Sequence, residues 1–376
     1  MAKRGNGAGS IYHRKSDGKW VGSITLENGK RKVLYGKTQK EVQEKVNEAL
    51  YQQQKGTLIT APNELLKDYL ERWLEEVCTP PNLRDSTYVK YKKTLSAYII
   101  PTLGRLPLQK LEPLHVKRLC NTQLKRGLST KMVIEIQSLL HKALADAVKW
   151  GLVGRNVCDL VDRPRLEEKE KQLLDKNQAL ALLESVKQHR LGVLLLVVVT
   201  TGARRGELLA LRWSRVDLEK GTLFVNKTVD YIPHYGYVEN EQKTKACRRT
   251  IKLATFVIEI LKAHKEKQLA QKAKAGSKWV EKDLVFCNLI GDYFSPNYML
   301  RLFKKVLEDA GLPHMRFHDL RHSAATILLA MGIHPKVVQE LLGHSSFLIT
   351  MNLYGHVFPS MLDEVVEKWN QEFNTE

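Results

Sequence analysis

Apolar and polar positions at the start of the chain predict a small β-sheet followed by a helix. Asp17-Gly18 and Asn28-Gly29 favour the positive φ angles of tight hairpin turns, and β-forming residues flank both dipeptides. Thr38 and Glu41 have the spacing of a capping box, which predicts a helix to about Gln54. The predicted antiparallel strands are Ser10–Arg14, Lys19–Leu26 and Lys30–Tyr35.

The middle of the chain, from Glu64 to about Pro164, has a helical pattern. Apolar residues recur at spacings of three and four before Pro80-Pro81, and a second helix is expected to open at Asp85-Ser86. Ser129–Trp150 has one apolar face, a serine cap and a following glycine. The pattern predicts a compact all-α domain of four or five helices.

The remainder of the chain mixes helices with a few strands. The run Arg163–Lys171 is charged and lacks an apolar period, so it is interpreted as a linker. Leu191–Thr200 has the composition of a buried helix, and Thr222–Val229 alternates like a strand. Tyr237–Leu253 is interpreted as two short strands around a basic turn, with mostly helices after it.

The expected fold class is therefore multidomain α+β. It combines a three-stranded sheet with its helix, an all-α domain, and a mixed, mainly helical domain that contains a small antiparallel sheet. The predicted domain boundaries are residues 1–58, 62–166 and 172–376.

Composition narrows the function classes. The chain has 60 Lys and Arg against 41 Asp and Glu, a net charge of +19, which favours a polyanionic partner and nucleic acid first. Its longest apolar stretch, Val193–Val199, is too short to span a membrane. The first residues lack the apolar core of a secretory signal, and the five cysteines form no CxxC pair. These features predict a cytoplasmic protein without a disulfide framework.

The positive charge is concentrated at the start of the chain. Residues 1–40 hold ten Lys and Arg against Asp17 and Glu27. The small sheet is expected to present Tyr12, Trp20 and basic side chains to a DNA groove, which a β-sheet face can enter. The alternative is a solvated basic surface. The residues expected to contact DNA are Arg14, Lys15, Lys19, Lys30, Arg31 and Lys32.

Four short motifs in the last domain carry the candidate chemistry. Taken singly, an arginine at a helix start, a histidine beside glycine or a tyrosine near a terminal helix is most often structural. No glycine-rich phosphate loop is present, so ATP- and NAD-dependent chemistry is not expected and no cofactor is predicted. The motifs are Thr201–Leu208 (TGARRGEL), Gln242–Arg249 (QKTKACRR), His318–His322 (HDLRH), and Leu342–Ser346 (LGHSS) with Tyr354.

In this order the motifs resemble those of the tyrosine recombinase (phage integrase) family, and the likeness covers the whole chain. The first domain is similar to the arm-type DNA-binding domain of long integrases, the second to the SAM-like core-binding domain, and the last to the catalytic domain. The residues that match the family's catalytic set are Arg204, Lys243, His318, Arg321, His344 and Tyr354, with Glu207 as a supporting carboxylate. Lys245 is the alternative to Lys243.

The resemblance implies the integrase of a temperate phage or an integrative conjugative element. Such an enzyme integrates and excises the element by cleaving and rejoining DNA through a 3′-phosphotyrosyl intermediate, without ATP or a metal ion. Two guanidinium groups, Arg204 and Arg321, would hold the scissile phosphate. His318 would take the proton of Tyr354, and Lys243 would protonate the leaving 5′ oxygen. His344 would bind the same phosphate.

The family also implies partners. These are double-stranded DNA with core and arm attachment sites, three further copies of the chain in a homotetramer, an excisionase and a host DNA-bending protein. The segment Met361–Phe373 has an amphipathic helical pattern, which either packs on its own domain or docks on a neighbouring protomer.

Three other functions use some of the same residues. His318 and His322 have the spacing of the zinc ligands in a zinc hydrolase, although Arg321 between them would repel a dication. A short helix between Pro335 and Gly343 fits a non-catalytic DNA-binding regulator. A resolvase of chromosome or plasmid dimers would use the same catalytic set, but such recombinases generally lack an N-terminal arm domain.

Overall fold

The computed structural model describes residues 9–26, 29, 31–54, 63–166, 172–242, 248–343 and 346–354, without the side chains of residues 52, 349 and 352–354. The chain divides into two units, Met1–Glu168 and Lys169–Glu376. None of the helices in these ranges is both long enough and apolar enough to cross a membrane.

The chain begins with the expected three-stranded antiparallel sheet, in the order β1-β2-β3, and a helix packed on it. The elements are β1 Ser10–Arg14, β2 Lys19–Thr25, β3 Arg31–Gly36 and α1 Gln39–Gln54. The Thr38 hydroxyl accepts the Glu41 N–H at 3.2 Å, and the Glu41 carboxylate accepts the Lys37 N–H at 2.9 Å. Ile24, Val42 and Val46 form the small core between the sheet and α1.

The two faces of this sheet differ, and one prediction about them is wrong. Tyr12, Val21 and Tyr35 lie in one row across the three strands, on the face away from α1. Trp20 is on the opposite face and packs against the α1 core, because successive side chains of a strand point to opposite sides. The sheet therefore does not present Tyr12 and Trp20 together.

The helical part of the first unit also agrees with the pattern. Its helices are α2 Leu66–Val77, α3 Asp85–Thr94, which continues through a π-helical turn at Leu95–Ile99, α4 Ile100–Leu103, α5 Pro113–Lys125 and α6 Thr130–Lys149. Ser129 caps α6 as expected. The Trp73 indole, buried in the core, donates to Asp146 at 2.9 Å and fixes α2 against α6.

The second unit is mainly helical with two small antiparallel sheets, ordered β4-β5-β8 and β6-β7. Its strands are β4 Val216–Asp217, β5 Thr222–Val225, β6 Lys227–Ile232, β7 Gly236–Glu241 and β8 Arg249–Lys252. Its helices are α7 Lys176–Ser185, α8 Gly192–Thr201, α9 Arg205–Leu209, α10 Thr255–Ala275, α11 Pro296–Asp309, α12 Asp319–Ala330, α13 Pro335–Leu342 and α14 Phe347–Tyr354.

Two features of these sheets differ from the expectation. The single strand predicted over Thr222–Val229 breaks at Asn226 into β5 and β6, which belong to different sheets. The strands β7 and β8 on either side of the basic turn are both present, but β7 pairs with β6 and β8 pairs with β5. The chain between β7 and β8 therefore leads from one sheet to the other. The predicted buried helix is α8, whose side chains fill the core of the unit.

Candidate active site

Arg204 lies where a sharp turn joins α8 to α9. Gly202 ends α8 with a φ of 62°, and a Cβ atom at this position would stand 2.1 Å from a methyl carbon of Leu342. The left-handed turn and the close packing both require glycine. The Arg204 guanidinium then donates to Glu207 at 2.8 Å and to the carbonyl of Gly343 at 3.0 Å.

Glu207 is a buried carboxylate surrounded by donors. It accepts the Arg204 N–H at 2.9 Å, Gln242 Nε2 at 3.2 Å, and Arg249 Nη2 at 3.0 Å. Burial acts to raise the pKa of the Glu207 carboxyl, but the charge and hydrogen bonds of Arg249, joined by those of Arg204, lower it below its usual value. The group is ionised and holds both arginines in place.

Arg249 is the site residue that the sequence analysis missed. It lies on β8 with its side chain 7% exposed. The strand alternates buried and exposed positions, and Arg249 shares the buried phase with Ile251. An arginine at a buried position of a strand was the available signal, since such a group needs partners that only the folded chain supplies.

Arg321 is almost completely buried, in the first turn of α12. Its guanidinium donates to the carbonyl of Gly202 at 2.7 Å and to that of Leu342 at 2.6 Å. Arg321 thus joins the end of α8 to the end of α13. Its contact with Gly202 brings it next to the turn that carries Arg204.

Three arginines converge on the carboxyl end of α13. Arg249 donates to the carbonyl of Leu341 at 2.6 Å, Arg321 to that of Leu342, and Arg204 to that of Gly343. The last carbonyls of a helix lack partners within it and carry partial negative charge, so cations bind there favourably. Guanidinium groups from three separate elements thus share one short stretch of backbone, immediately before residue 344.

His318 lies just before α12 and is exposed. Desolvation by the neighbouring protein and the positive charges of Arg321 and Arg204 lower the pKa of its imidazole. The ring is therefore neutral at pH 7 and can accept a proton. Its centroid is 5.1 Å from that of the His322 ring. The adjoining carboxylate Asp319 is held by Arg316 at 2.8 Å.

Four predicted site residues are placed only in part or lie outside the described residues. Tyr354 is the last residue of α14, which lies against α12 and α13, but its side chain is not described. Lys243, its alternative Lys245, and His344 are outside the described residues. The segment 361–373 is also outside them. Within the described ranges, no three His, Cys, Asp or Glu side chains are grouped as metal ligands would be.

The basic residues predicted to contact DNA near the N-terminus do not all lie on one face of the sheet. Arg14 lies on the open face of the sheet, paired with Asp17 and 5.2 Å from the Tyr35 ring centroid. Lys19 and Arg31 share that face by register, and Lys15 is in the β1–β2 turn. Lys32 pairs with Ile24 on the helix side, where burial lowers the pKa of its ammonium. Lys30 is outside the described residues.

Comparison with known proteins gives a consistent result. Residues 172–361 match the phage integrase family, and residues 65–123 match the N-terminal SAM-like domain of phage integrases. A protein of Caldanaerobacter subterraneus named tyrosine recombinase XerC-like is 34% identical, over 92% of this chain and 94% of its own.

Two solved structures show the same fold. One is the Tn1549 transposon integrase in complex with transposon right-end DNA, with a TM-score of 0.70 and 18% identity over 81% of this chain and all of that one. The other is a lambda integrase tetramer bound to a Holliday junction, with a TM-score of 0.59 and 18% identity over 93% of this chain and 96% of that one.

Proposed function

The chain belongs to the phage integrase family and is a tyrosine-type site-specific recombinase, and from this premise we propose which of its residues cut and rejoin DNA. The observation that carries the proposal is the convergence of Arg204, Arg321 and His318. The two arginines meet at the end of α13, which leads to His344, and the neighbouring helix α14 ends at Tyr354.

In the proposed reaction the Tyr354 oxygen attacks the scissile phosphorus. A bond forms between that oxygen and phosphorus, and the bond from phosphorus to the 5′ oxygen breaks, which leaves a 3′-phosphotyrosyl linkage and a 5′-hydroxyl end. Arg204 and Arg321 hold the non-bridging oxygens, whose negative charge grows in the transition state. A free 5′-hydroxyl of another strand reverses the step, so rejoining needs no external energy source.

Two proton transfers accompany this exchange. The Tyr354 hydroxyl, with an ordinary pKa near 10, gives its proton to the neutral His318 imidazole. The leaving 5′ oxygen takes a proton from Lys243, with Lys245 as the alternative donor. His344 donates a hydrogen bond to the same phosphate. The lowered pKa of His318 supports its role as the base, since it keeps the ring unprotonated at pH 7.

We propose three functional domains with boundaries at 1–58, 62–166 and 172–376. The first would bind a distant arm site through the open face of its sheet. The other two would hold the crossover site of double-stranded DNA, with four copies of the chain on two sites and Tyr354 delivered in cis or in trans. Binding two sites at once raises the effective concentration of one for the other. An excisionase and a host DNA-bending protein would set direction in the bacterial cytoplasm.

The established family removes two of the other functions considered from the sequence, the zinc hydrolase and the non-catalytic regulator. The resolvase remains as a second candidate, because the 34% identical relative is named XerC-like. We favour an integrase of a mobile element because the chain carries the small basic sheet domain at its start. Recombination between two unlike attachment sites, rather than between identical ones, would distinguish the integrase.

The direct test is cleavage of a nicked duplex that carries the crossover sequence of the element. Cleavage releases a short fragment that cannot rejoin, so the wild-type chain should accumulate joined to DNA on a denaturing gel. Tyr354→Phe should abolish this product while DNA binding persists. Covalent product from Tyr354→Phe, or loss of product from the wild type on adding a chelator, would contradict the proposal.

A further inference from the structure

Arg249 occupies a position that links three parts of the active site. It begins β8, six residues after Lys243 in the sequence, and pairs with Val225 of β5. Its side chain is buried, although arginine is rarely buried unless it is paired. Its partners are a carboxylate on α9 and a carbonyl on α13, so one side chain joins β8, α9 and α13.

Three nitrogens of the Arg249 guanidinium donate hydrogen bonds to two partners. Nη2 donates to Glu207 Oε2 at 3.0 Å, Nη1 donates to Oε1 at 3.3 Å, and Nε donates to the carbonyl of Leu341 at 2.6 Å. The planar fork binds both carboxylate oxygens while a third N–H points elsewhere, which the single ammonium of lysine does not reproduce.

Glu207 transmits this contact to the phosphate-binding arginine. The same two carboxylate oxygens accept the Arg204 main-chain N–H at 2.9 Å and its guanidinium at 2.8 Å. Removal of Arg249 would leave a buried carboxylate with less of the positive charge that balances it. Glu207 would then draw Arg204 towards itself, away from the orientation that the phosphate requires.

The end of α13 shows how Arg249 differs from the other two arginines. Of the three arginines on this stretch of backbone, Arg204 and Arg321 are assigned to the phosphate. Arg249 donates to Glu207 and Leu341 and is not assigned to the phosphate, so its effect on cleavage is exerted through Glu207.

We propose that Arg249 is a positioning residue for strand cleavage, which aligns Arg204 through Glu207. This inference rests on the proposed function of Arg204 in cleavage. It assigns to Arg249 an effect on the rate of the chemical step rather than on the affinity for DNA.

The test compares single-turnover cleavage of the nicked duplex by the wild type, Arg249→Met, Arg204→Lys and the double variant, at saturating protein. We expect Arg249→Met to slow covalent-complex formation about 100-fold, the scale of an ångström misplacement of a reacting group. Its dissociation constant for the duplex should change less than about threefold. In the Arg204→Lys background, Arg249→Met should slow cleavage by no more than about threefold further.

Arg190→Met is the matched control. The Arg190 guanidinium also joins two segments by donating to a carbonyl, that of Cys287, at 3.3 Å. Because its described contacts, Cys287 and Phe294, are not site residues, we expect its cleavage rate to stay within about twofold of the wild type. If Arg249→Met unfolds at the assay temperature, Arg249→Lys takes its place, with cleavage slowed about tenfold.

The outcomes separate this inference from the proposed function. Failure of the wild type to form a covalent complex would overturn both. Wild-type cleavage with undiminished rates in Arg249→Met or Arg249→Lys would overturn this inference alone. So would a further 100-fold loss in the double variant, since multiplied effects show that Arg249 does not act through Arg204.

Discussion

The catalytic unit and the N-terminal sheet use arginine in opposite ways. Arg249 and Arg321 are buried, and each joins segments that are distant in the chain. Arg14 is 40% exposed on the open face of the sheet, and its carboxylate partner Asp17 is only three residues away. Such an exposed local pair contributes little to stability and is weakened by salt.

The difference matters because both regions are proposed to bind the same polyanion. A buried guanidinium with fixed partners is already oriented, so it can stabilise a transition state without reorganisation. An exposed one exchanges water or a surface carboxylate for any phosphate in reach, which gives affinity but no chemistry. Substitutions in the two regions should therefore differ in kind as well as in size.

The largest effect is expected at Arg321. In Arg321→Lys, an ammonium replaces the fork that binds the carbonyls of Gly202 and Leu342. We expect single-turnover cleavage of the nicked duplex to fall by about 100- to 1,000-fold, as for loss of an oriented donor at a developing negative charge. Arg14→Lys is the comparison, with an unchanged rate on a duplex that lacks the arm site. If Arg321→Lys lowers the cleavage rate by less than tenfold, the proposed difference between buried and exposed arginines is contradicted.

Two glycines with nearly the same backbone angle extend the comparison to stability. Gly202 has a φ of 62° and no room for a Cβ atom, whereas Gly18 has a φ of 65° and no heavy atom within 4 Å of that position. We expect Gly18→Ala to cost about 1–2 kcal/mol from the left-handed backbone alone. Gly202→Ala adds about 1–3 kcal/mol of overpacking against Leu342.

Calorimetry of both variants measures the loss of folding stability. The rate of DNA cleavage provides a second comparison. Gly202→Ala should also slow cleavage, because the Gly202 carbonyl accepts a hydrogen bond from Arg321. Gly18→Ala should not change the rate of cleavage of the nicked duplex that carries the crossover sequence. Equal losses of stability in the two variants would show that the close packing at Gly202 carries no additional cost.

The two regions also differ in how far the sequence predicted them. The strands of the N-terminal sheet followed from its Asp-Gly and Asn-Gly turns, because turn chemistry is local. The face of Trp20 did not, since both faces of the sheet carry aromatic side chains and only the docked helix distinguishes them. In the catalytic unit, family motifs placed Arg204, Glu207 and Arg321. Arg249 was missed because its partners come from distant elements, and motif spacing does not record them.

The break at Asn226 has a similar cause. Alternation of apolar and polar residues continues from β5 into β6, so the pattern along the chain predicts one strand. The strands separate because β5 pairs with β8 while β6 turns to pair with β7. Pairing partners are a tertiary property, which an alternating pattern does not specify.

The pH dependence of cleavage tests whether Arg321 and Arg204 lower the pKa of His318. His318 acts as a base only when neutral, and Arg321 and Arg204 add to desolvation in lowering its pKa. The neutral form therefore persists to a lower pH than in an ordinary histidine, whose pKa is about 6.5. We expect the cleavage rate constant to reach half of its maximum below pH 6.5 and to fall by up to tenfold per pH unit at lower pH. A midpoint of the fall at or above pH 6.5 would contradict the lowered pKa, and His318→Gln should lose this acidic limb.

The smallest effect is expected on the N-terminal sheet, where two neighbouring residues place their charges on opposite faces. Arg31 lies on the open face, whereas Lys32 is on the helix side. In Arg31→Gln we expect a few-fold weaker binding to arm-site DNA and a salt slope smaller by about 1, because one phosphate contact is lost. Lys32→Gln should keep the wild-type slope, since its ammonium already lies on the side that packs on α1. Titrations at several salt concentrations measure both slopes. Equal slopes in the two variants would mean that the helix side of the sheet, and not its open face alone, takes part in binding DNA.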